Sequence, residues 1–265
     1  MKINPKYLLI PIKRVYFLFS NIIKYFFKGI NWLVSSKEHT NFSFKLNNLQ
    51  TQTVSYIAST FYKIDYENIV EDINYIQNLK IENEFKNVLK TIDLDLSPKW
   101  DYRVIPYILA KYRKIHDVFE FGIDQGRIGY LLKNLQSKDP SLKFEYEGIE
   151  NNKRKGILLI NNELSNINIV FDNLQSYLPK ISLSKLNDSL IISSTHETNS
   201  EKFLFEYLDS KNILPKYLIS DECSKNSEYS KFVKKHDYTT TVIPFEDPNN
   251  FLNTIYIGIA KLDKS

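Results

Sequence analysis

At 265 residues, with 43% hydrophobic and 25% charged side chains, the chain is long and apolar enough for an ordered core, which excludes a disordered or fibrous polypeptide. Its one cysteine, Cys223, excludes an intrachain disulfide framework and a cysteine-based zinc site, and it fits a reducing, cytoplasmic compartment. The net charge of +4 is uneven: residues 1–37 hold seven Lys or Arg and no acid, while the rest holds 28 basic and 31 acidic residues, so the body is not a basic nucleic-acid binder and no nucleic-acid partner is expected.

Pro11 suits the first turn of a helix running to about Val34. At roughly 100° per residue, Lys13, Arg14, Ser20, Asn21, Lys24, Lys28 and Asn31 share one sector, and most of the remainder is aliphatic or aromatic. The longest uncharged run there, Val15 to Ile23, is too short to span a bilayer, and no small-residue cleavage site follows it. A wide aromatic face beside a lysine face suits an anionic membrane surface, which makes residues 11–34 a candidate peripheral anchor. The alternative is packing on the chain's own domain or on a second copy, which leaves a homo-oligomer open.

Residues 38–100 read as a helical region. Ile69, Ile73 and Ile76 share one face, as do Ile81, Phe85, Val88 and Ile92, and Asp65 or Asn68 caps the first of these helices. The charges Glu67, Glu71, Asp72, Glu82 and Glu84 read as a solvated face, and Ser97-Pro98 as a boundary.

From residue 101 to 265 strands and helices alternate. A helix at Pro106–Lys114 precedes strand Asp117–Phe121, and a helix at Arg127–Leu135 follows it. Strand Phe144–Ile149 ends at Glu150, and a helix near Arg154–Leu164 leads to strand Asn168–Phe171, ending at Asp172. Strand Leu190–Ser193 ends at Ser194-Thr195-His196; then come helix Ser200–Ser210, strand Tyr217–Ser220 ending at Asp221, and helix Ser227–Lys235. Thr239–Ile243 and Thr254–Ala260 lack a helix-length gap and read as a hairpin. The predicted fold is therefore α/β, with a mostly parallel sheet of seven strands covered by helices on both faces. Ligands bind such sheets outside the carboxyl ends of the strands, where Glu120, Glu150, Asp172, His196 and Asp221 collect. The run Glu120-Phe121-Gly122 with Gly126 and Gly129 is a strand–turn–helix in which backbone can approach a ligand. The acid ahead of the turn opposes a pyrophosphate and suits a cationic, hydroxyl-bearing ligand.

These elements resemble the class I S-adenosylmethionine-dependent methyltransferases, whose fold is Rossmann-like, and within them the bacterial enzymes that modify sugars and small hydroxylated metabolites. The resemblance rests on Glu120-Phe121-Gly122 with Gly126, on Gly148-Ile149-Glu150, on Val170-Phe171-Asp172-Asn173 and on the terminal hairpin. It implies S-adenosyl-L-methionine as cofactor, with the Glu120–Gly126 turn (Gly122, Asp124 and Gly126 included) around its methionine part. It also implies Glu150 on the ribose hydroxyls, Asp172 with Asn173 at the adenine, and His196 beside a small-molecule or glycan acceptor hydroxyl as general base. Asp124 stands where the family's usual motif has a glycine, and Ser193, Ser194 and Thr195 stand where its metal-binding members carry acids, so no required metal is expected. Two rival readings remain. One is a nicotinamide-dependent oxidoreductase, with Glu150 lying 21 residues after Gly129 but Glu120 facing the pyrophosphate. The other is a catalytically inactive module acting at a membrane or in an assembly.

Overall fold

A computed structural model describes residues 39–79, 81, 84–85, 104–123, 126–151, 168–194, 198–221, 223–224, 227–246 and 254–263, with backbone alone at 39–50, 198, 244–246 and 254–255. The predicted helices at 11–34 and 154–164, and Ser97-Pro98, lie outside the described residues. So do Asp124 and His196. The chain divides into two units, 1–50 and 51–265, and the fold below is that of the second.

In chain order the elements are α1 (His39–Tyr62), α2 (Tyr66–Asn78), α3 (Val104–Tyr112), β1 (Asp117–Phe121), α4 (Arg127–Lys138), β2 (Glu145–Glu150), β3 (Asn168–Phe171), α5 (Leu174–Tyr177), α6 (Leu183–Asn187), β4 (Leu190–Ser193), α7 (Thr198–Ser210), β5 (Tyr217–Ser220), α8 (Glu228–Lys235), β6 (Thr239–Glu246) and β7 (Thr254–Lys261). A short 3-10 turn, Leu178–Lys180, follows α5. The seven strands form one sheet in the order β3-β2-β1-β4-β5-β7-β6. The first five are mutually parallel, and β7 runs antiparallel to both of its neighbours. The Rossmann-like α/β sheet with a terminal hairpin expected from the sequence is thus the observed one.

The central strands β4 and β5 are buried at every residue and read as short apolar runs, whereas β2 and β3, toward the sheet's edge, each begin with an exposed polar residue. Val118, Ile192, Ile219, Ile257 and Ile259 face one layer, packed with Val54 of α1, Ile69 of α2, Ile108 of α3 and Leu131 of α4. Phe119, Phe121, Ile191, Leu218 and Ala260 face the other, packed with Leu204, Phe205 and Leu208 of α7 and with Phe232 and Val233 of α8.

Several expectations need correction. Strand β2 is Glu145–Glu150, starting one residue later than expected, because Glu145 N–H bonds the carbonyl of His116 and begins the ladder there. Helix α3 starts at Val104 and ends at Tyr112, since Lys114 takes a left-handed conformation (φ 51°). Helix α7 begins at Thr198, and Ser227 is the N-cap of α8 rather than its first residue, accepting from the N–H of Ser230. Helices α5 and α6, between β3 and β4, carry no sequence periodicity and add two elements to the predicted set. Asp65 caps α2 by accepting from Asn68 N–H, so the cap is Asp65 and Asn68 is its donor.

The largest correction is Asp72. It does not lie on a solvated face: it is 6% exposed and accepts from Lys111 at 2.5 Å and from the Tyr112 hydroxyl at 2.7 Å. Tyr107 lies 3.5 Å away. Buried acids persist when paired and hydrogen-bonded, and Lys111 is placed by α3 to do that for α2.

Candidate functional site

The strand order reverses between β1 and β4, and a crevice opens at such a switch point beyond the carboxyl ends of the strands. The strand ends are tied together: Ser194 N–H, past β4, donates to the Phe121 carbonyl of β1 at 2.9 Å, and Gly122 N–H, past β1, donates to the Ile149 carbonyl of β2 at 2.9 Å. Gly122 (φ 83°) and Gly126 (φ 72°) both occupy the left-handed region that side chains disfavour, so the turn is built on glycine for conformational reasons. Gly126 is also the N-cap of α4 and supplies no side-chain cap, and the first turn of α4 has no acid. A helix of twelve residues therefore starts at the crevice on a cap residue that has no side chain of its own, a setting that suits an anionic or polar ligand group.

Glu120 and Glu150 come together. Glu120 is in register with Gly148 on β2, and Glu150 lies two residues further along that strand, so both side chains project from the same face, about 8 Å apart at Cα. Both are buried, at 3% and 7% exposure. The Glu120 carboxylate accepts the hydroxyl of Tyr146, a residue that no sequence motif marks. Burial, and then the adjacent Glu120 carboxylate, push the Tyr146 phenol well above its ordinary range, so it remains a proton donor to Glu120. The Tyr146 ring is fitted between two glycines. A Cβ on Gly129 would meet its Cε1 at 2.7 Å, and one on Gly148 would meet its hydroxyl at 2.9 Å and Ile123 Cγ2 at 2.7 Å. Gly129, third in the glycine cluster of the turn, therefore makes room for a ring rather than for a ligand.

Asp172 lies one residue past β3 and is part of a local cap. Its carboxylate accepts from Asn173 N–H at 2.8 Å, from the Ser176 hydroxyl and from Lys180 at 2.9 Å. Those partners, the Ser176 hydroxyl first, hold it below the usual aspartate range. Asn173 caps α5 through Ser176 N–H at 2.7 Å. Asp221 stands one residue past β5, its N–H donating to the Ser193 carbonyl at 3.2 Å.

Ser194, in the sequence only a replacement for an acid, has a more specific position in the fold. It is 8% exposed, and its Oγ is buried with no hydrogen-bond partner among the described residues. A buried hydroxyl left unpaired costs about 1–3 kcal/mol.

Among the described residues one trio, His116, Asp117 and Glu145, has ligand atoms close enough to share a cation. Lys185 already lies 3.0 Å from Asp117 and 2.9 Å from Glu145, so a positive charge occupies the pair. The trio sits at the amino ends of β1 and β2, away from Glu120 and Glu150. His116 lies 3.5 Å from Asp117, and His236 pairs with Asp209 at 2.8 Å. The first pair is between chain neighbours, whereas the second joins residues 27 positions apart and is not visible in the sequence.

No protein-family model matches the chain, and no curated protein matches it. Solved structures do. A putative caffeoyl-CoA O-methyltransferase from Staphylococcus aureus is 15% identical, with a TM-score of 0.46, over 73% of this chain and 97% of that one. An O-methyltransferase from Bacillus cereus, in complex with S-adenosylhomocysteine, is 14% identical, with a TM-score of 0.44, over 69% and 91%. A precorrin-6y C5,15-methyltransferase from Geobacter metallireducens is 13% identical, with a TM-score of 0.44, over 63% and 91%.

Proposed function

We propose that this chain is an S-adenosylmethionine-dependent methyltransferase that transfers the methyl group to a hydroxyl. The observation that carries the reading is the pairing of a left-handed glycine turn with Glu120 and Glu150 on one face of the sheet at its switch point. Two adjacent acids suit a cationic sulfonium with a ribose diol and oppose a pyrophosphate.

The residues fit that cofactor. The Gly122–Gly126 turn lets main chain approach it, and a carboxylate such as Glu150 accepts two ribose hydroxyls at once. When bound, the cofactor supplies a methyl carbon activated by a positive sulfur. The protein's part is to hold an acceptor oxygen in line, a positioning effect worth roughly 7–11 kcal/mol in favourable cases. Ser194, whose buried Oγ has no partner among the described residues, is our choice to hold that acceptor. The acceptor proton needs a base, and His196, which follows the end of β4 by three residues, is our choice, with assistance of about 10²–10⁴-fold. The substrate class we favour is a sugar or glycan-precursor hydroxyl, met at an anionic membrane surface to which residues 11–34 would bind.

The nicotinamide alternative is disfavoured by the sheet. A dinucleotide fold extends past β5 with a further parallel strand, whereas here β7 enters antiparallel.

Calorimetry with S-adenosylhomocysteine and with a nicotinamide dinucleotide tests the reading. Only the former is expected to bind. Glu150→Ala should weaken it about 10–100-fold, the loss of one or two hydrogen bonds to a charged group. Binding of the dinucleotide without S-adenosylhomocysteine would end the proposal. Ser194→Ala is expected to leave that affinity unchanged and to raise KM for the acceptor.

A further inference from the structure

Strand β6 is one of the two edge strands of the sheet, β3 being the other, and its outward main-chain groups can be read from the register. Among the described residues β6 pairs with β7 alone. The even-numbered residues of β7 turn their main-chain groups toward β5: Cys223 N–H donates to the Tyr256 carbonyl at 2.8 Å. Pro244 is in register with Tyr256, so the proline falls where no N–H toward β7 is needed. It follows that Thr240 and Val242, also even-numbered, direct their main-chain N–H and C=O outward, away from the sheet. The segment Thr239-Thr240-Thr241-Val242-Ile243 is rich in β-branched residues, which favours strand pairing.

Beside this edge, on the α8 side, is a groove of about 870 Å³ lined by Tyr229, Lys234, Asp237, Tyr238, Val242 and Tyr256. Val242 and Tyr256 are 44% and 46% exposed and share a face, because Val242 is in register with Gly258, two residues from Tyr256. Lys234 and Asp237 are exposed and make no ion pair among the described residues. A patch with an apolar centre and one uncompensated charge of each sign is self-complementary, as a twofold contact between identical surfaces requires.

We propose that β6 is the pairing edge of a symmetric dimer of this chain, joined antiparallel about a twofold axis through Thr241. In that register Thr240 of one copy exchanges both main-chain hydrogen bonds with Val242 of the other, and the reverse holds on the other side of the axis, giving four bonds. Pro244 lies just outside this ladder and ends it, which fixes the register and prevents open-ended pairing. The two sheets join into one of fourteen strands, and the Val242–Tyr256 faces lie side by side. This holds whether or not the chain is a methyltransferase.

Light scattering on the purified full chain at tens of micromolar tests it. The dimer mass is expected. Val242→Lys and Tyr256→Lys, both at exposed positions, should each halve the mass with the far-UV circular dichroism unchanged. The register has its own readout in a Cys223→Ser background. Residues facing each other across the axis form a non-hydrogen-bonded pair with Cα atoms about 4.5 Å apart, within disulfide reach. Thr241→Cys should therefore oxidise to a covalent dimer, whereas Thr239→Cys, more than about 13 Å from its counterpart, should not. A monomeric full chain overturns the proposal. So does a dimer that survives Val242→Lys, or Thr239→Cys cross-linking as readily as Thr241→Cys.

Discussion

At the residue scale the informative unit is Tyr146 with its two glycines. Gly129 and Gly148 approach its ring so closely that a methyl on either would force a shift, and the ring's position is what delivers the hydroxyl to Glu120. Gly129→Ala is therefore expected to destabilise the protein by about 1–3 kcal/mol through overpacking, even though alanine is the better helix former. Tyr146→Phe keeps the ring and removes one donor from a buried carboxylate, and an expected loss of about 1–3 kcal/mol follows. Urea unfolding of both variants checks this; an unchanged midpoint in Tyr146→Phe would mean that Glu120 is fully served by other groups. None of this is legible in the sequence. The glycine spacing correctly marks a turn at Gly122 and Gly126, where φ is positive, but it also draws in Gly129, whose reason lies 17 residues away on another strand. Ser194 is hidden in the same way, because a buried hydroxyl without a partner among the described residues is a property of surroundings and not of residue type.

At the scale of elements, the strands are readable because short apolar runs stopped by a polar residue recur between helix-length segments, a spacing that fits buried parallel strands. Helices α5 and α6 are not, since four or five residues hold no 3.6-residue period; Asn173 and Ser182, their N-caps, are the only local signal. Asp72 reads as solvated for a related reason: its partners Lys111 and Tyr112 come from α3, and a charge among charges looks exposed until that helix is placed. A second inter-helix contact gives a pH-dependent prediction. Asp209, in the last turn of α7, accepts from Lys235 at 2.6 Å and from His236 at 2.8 Å at the end of α8. The Lys235 hydrogen bond first, and then that from His236, hold Asp209 below its ordinary range. A depressed acid contributes stability that is present above its unfolded value, near 3.9, and is lost as the pH falls through its lower folded value. Melting temperatures between pH 6 and pH 2 should fall with acidification, and Asp209→Asn should lower the plateau above about pH 4 while making the fall shallower. A variant that melts in parallel with the parent at every pH would show that Asp209 does not link the helices energetically.

At the scale of the whole molecule, the order of elements is enough to foresee a mostly parallel sheet with a reversed final hairpin, because alternation and the lack of a helix-length gap between the last two strand runs leave few other topologies. Charge partition makes a separate argument. The residues after 37 carry a net −3, so an anionic surface repels them weakly, and the densest unopposed source of attraction is the seven cations of residues 1–37. Each lysine or arginine near such a surface is worth roughly 1 kcal/mol, and the attraction decays within a Debye length, about 10 Å at 0.1 M salt. The full chain is therefore expected to sediment with phosphatidylserine-containing vesicles at low salt and to be released substantially near about 0.5 M, with poor retention on neutral vesicles. The chain lacking residues 1–37 should stay in the supernatant throughout. Retention of the truncated chain on anionic vesicles would contradict the argument, because it would require a negatively charged body to hold a negatively charged surface without the basic segment.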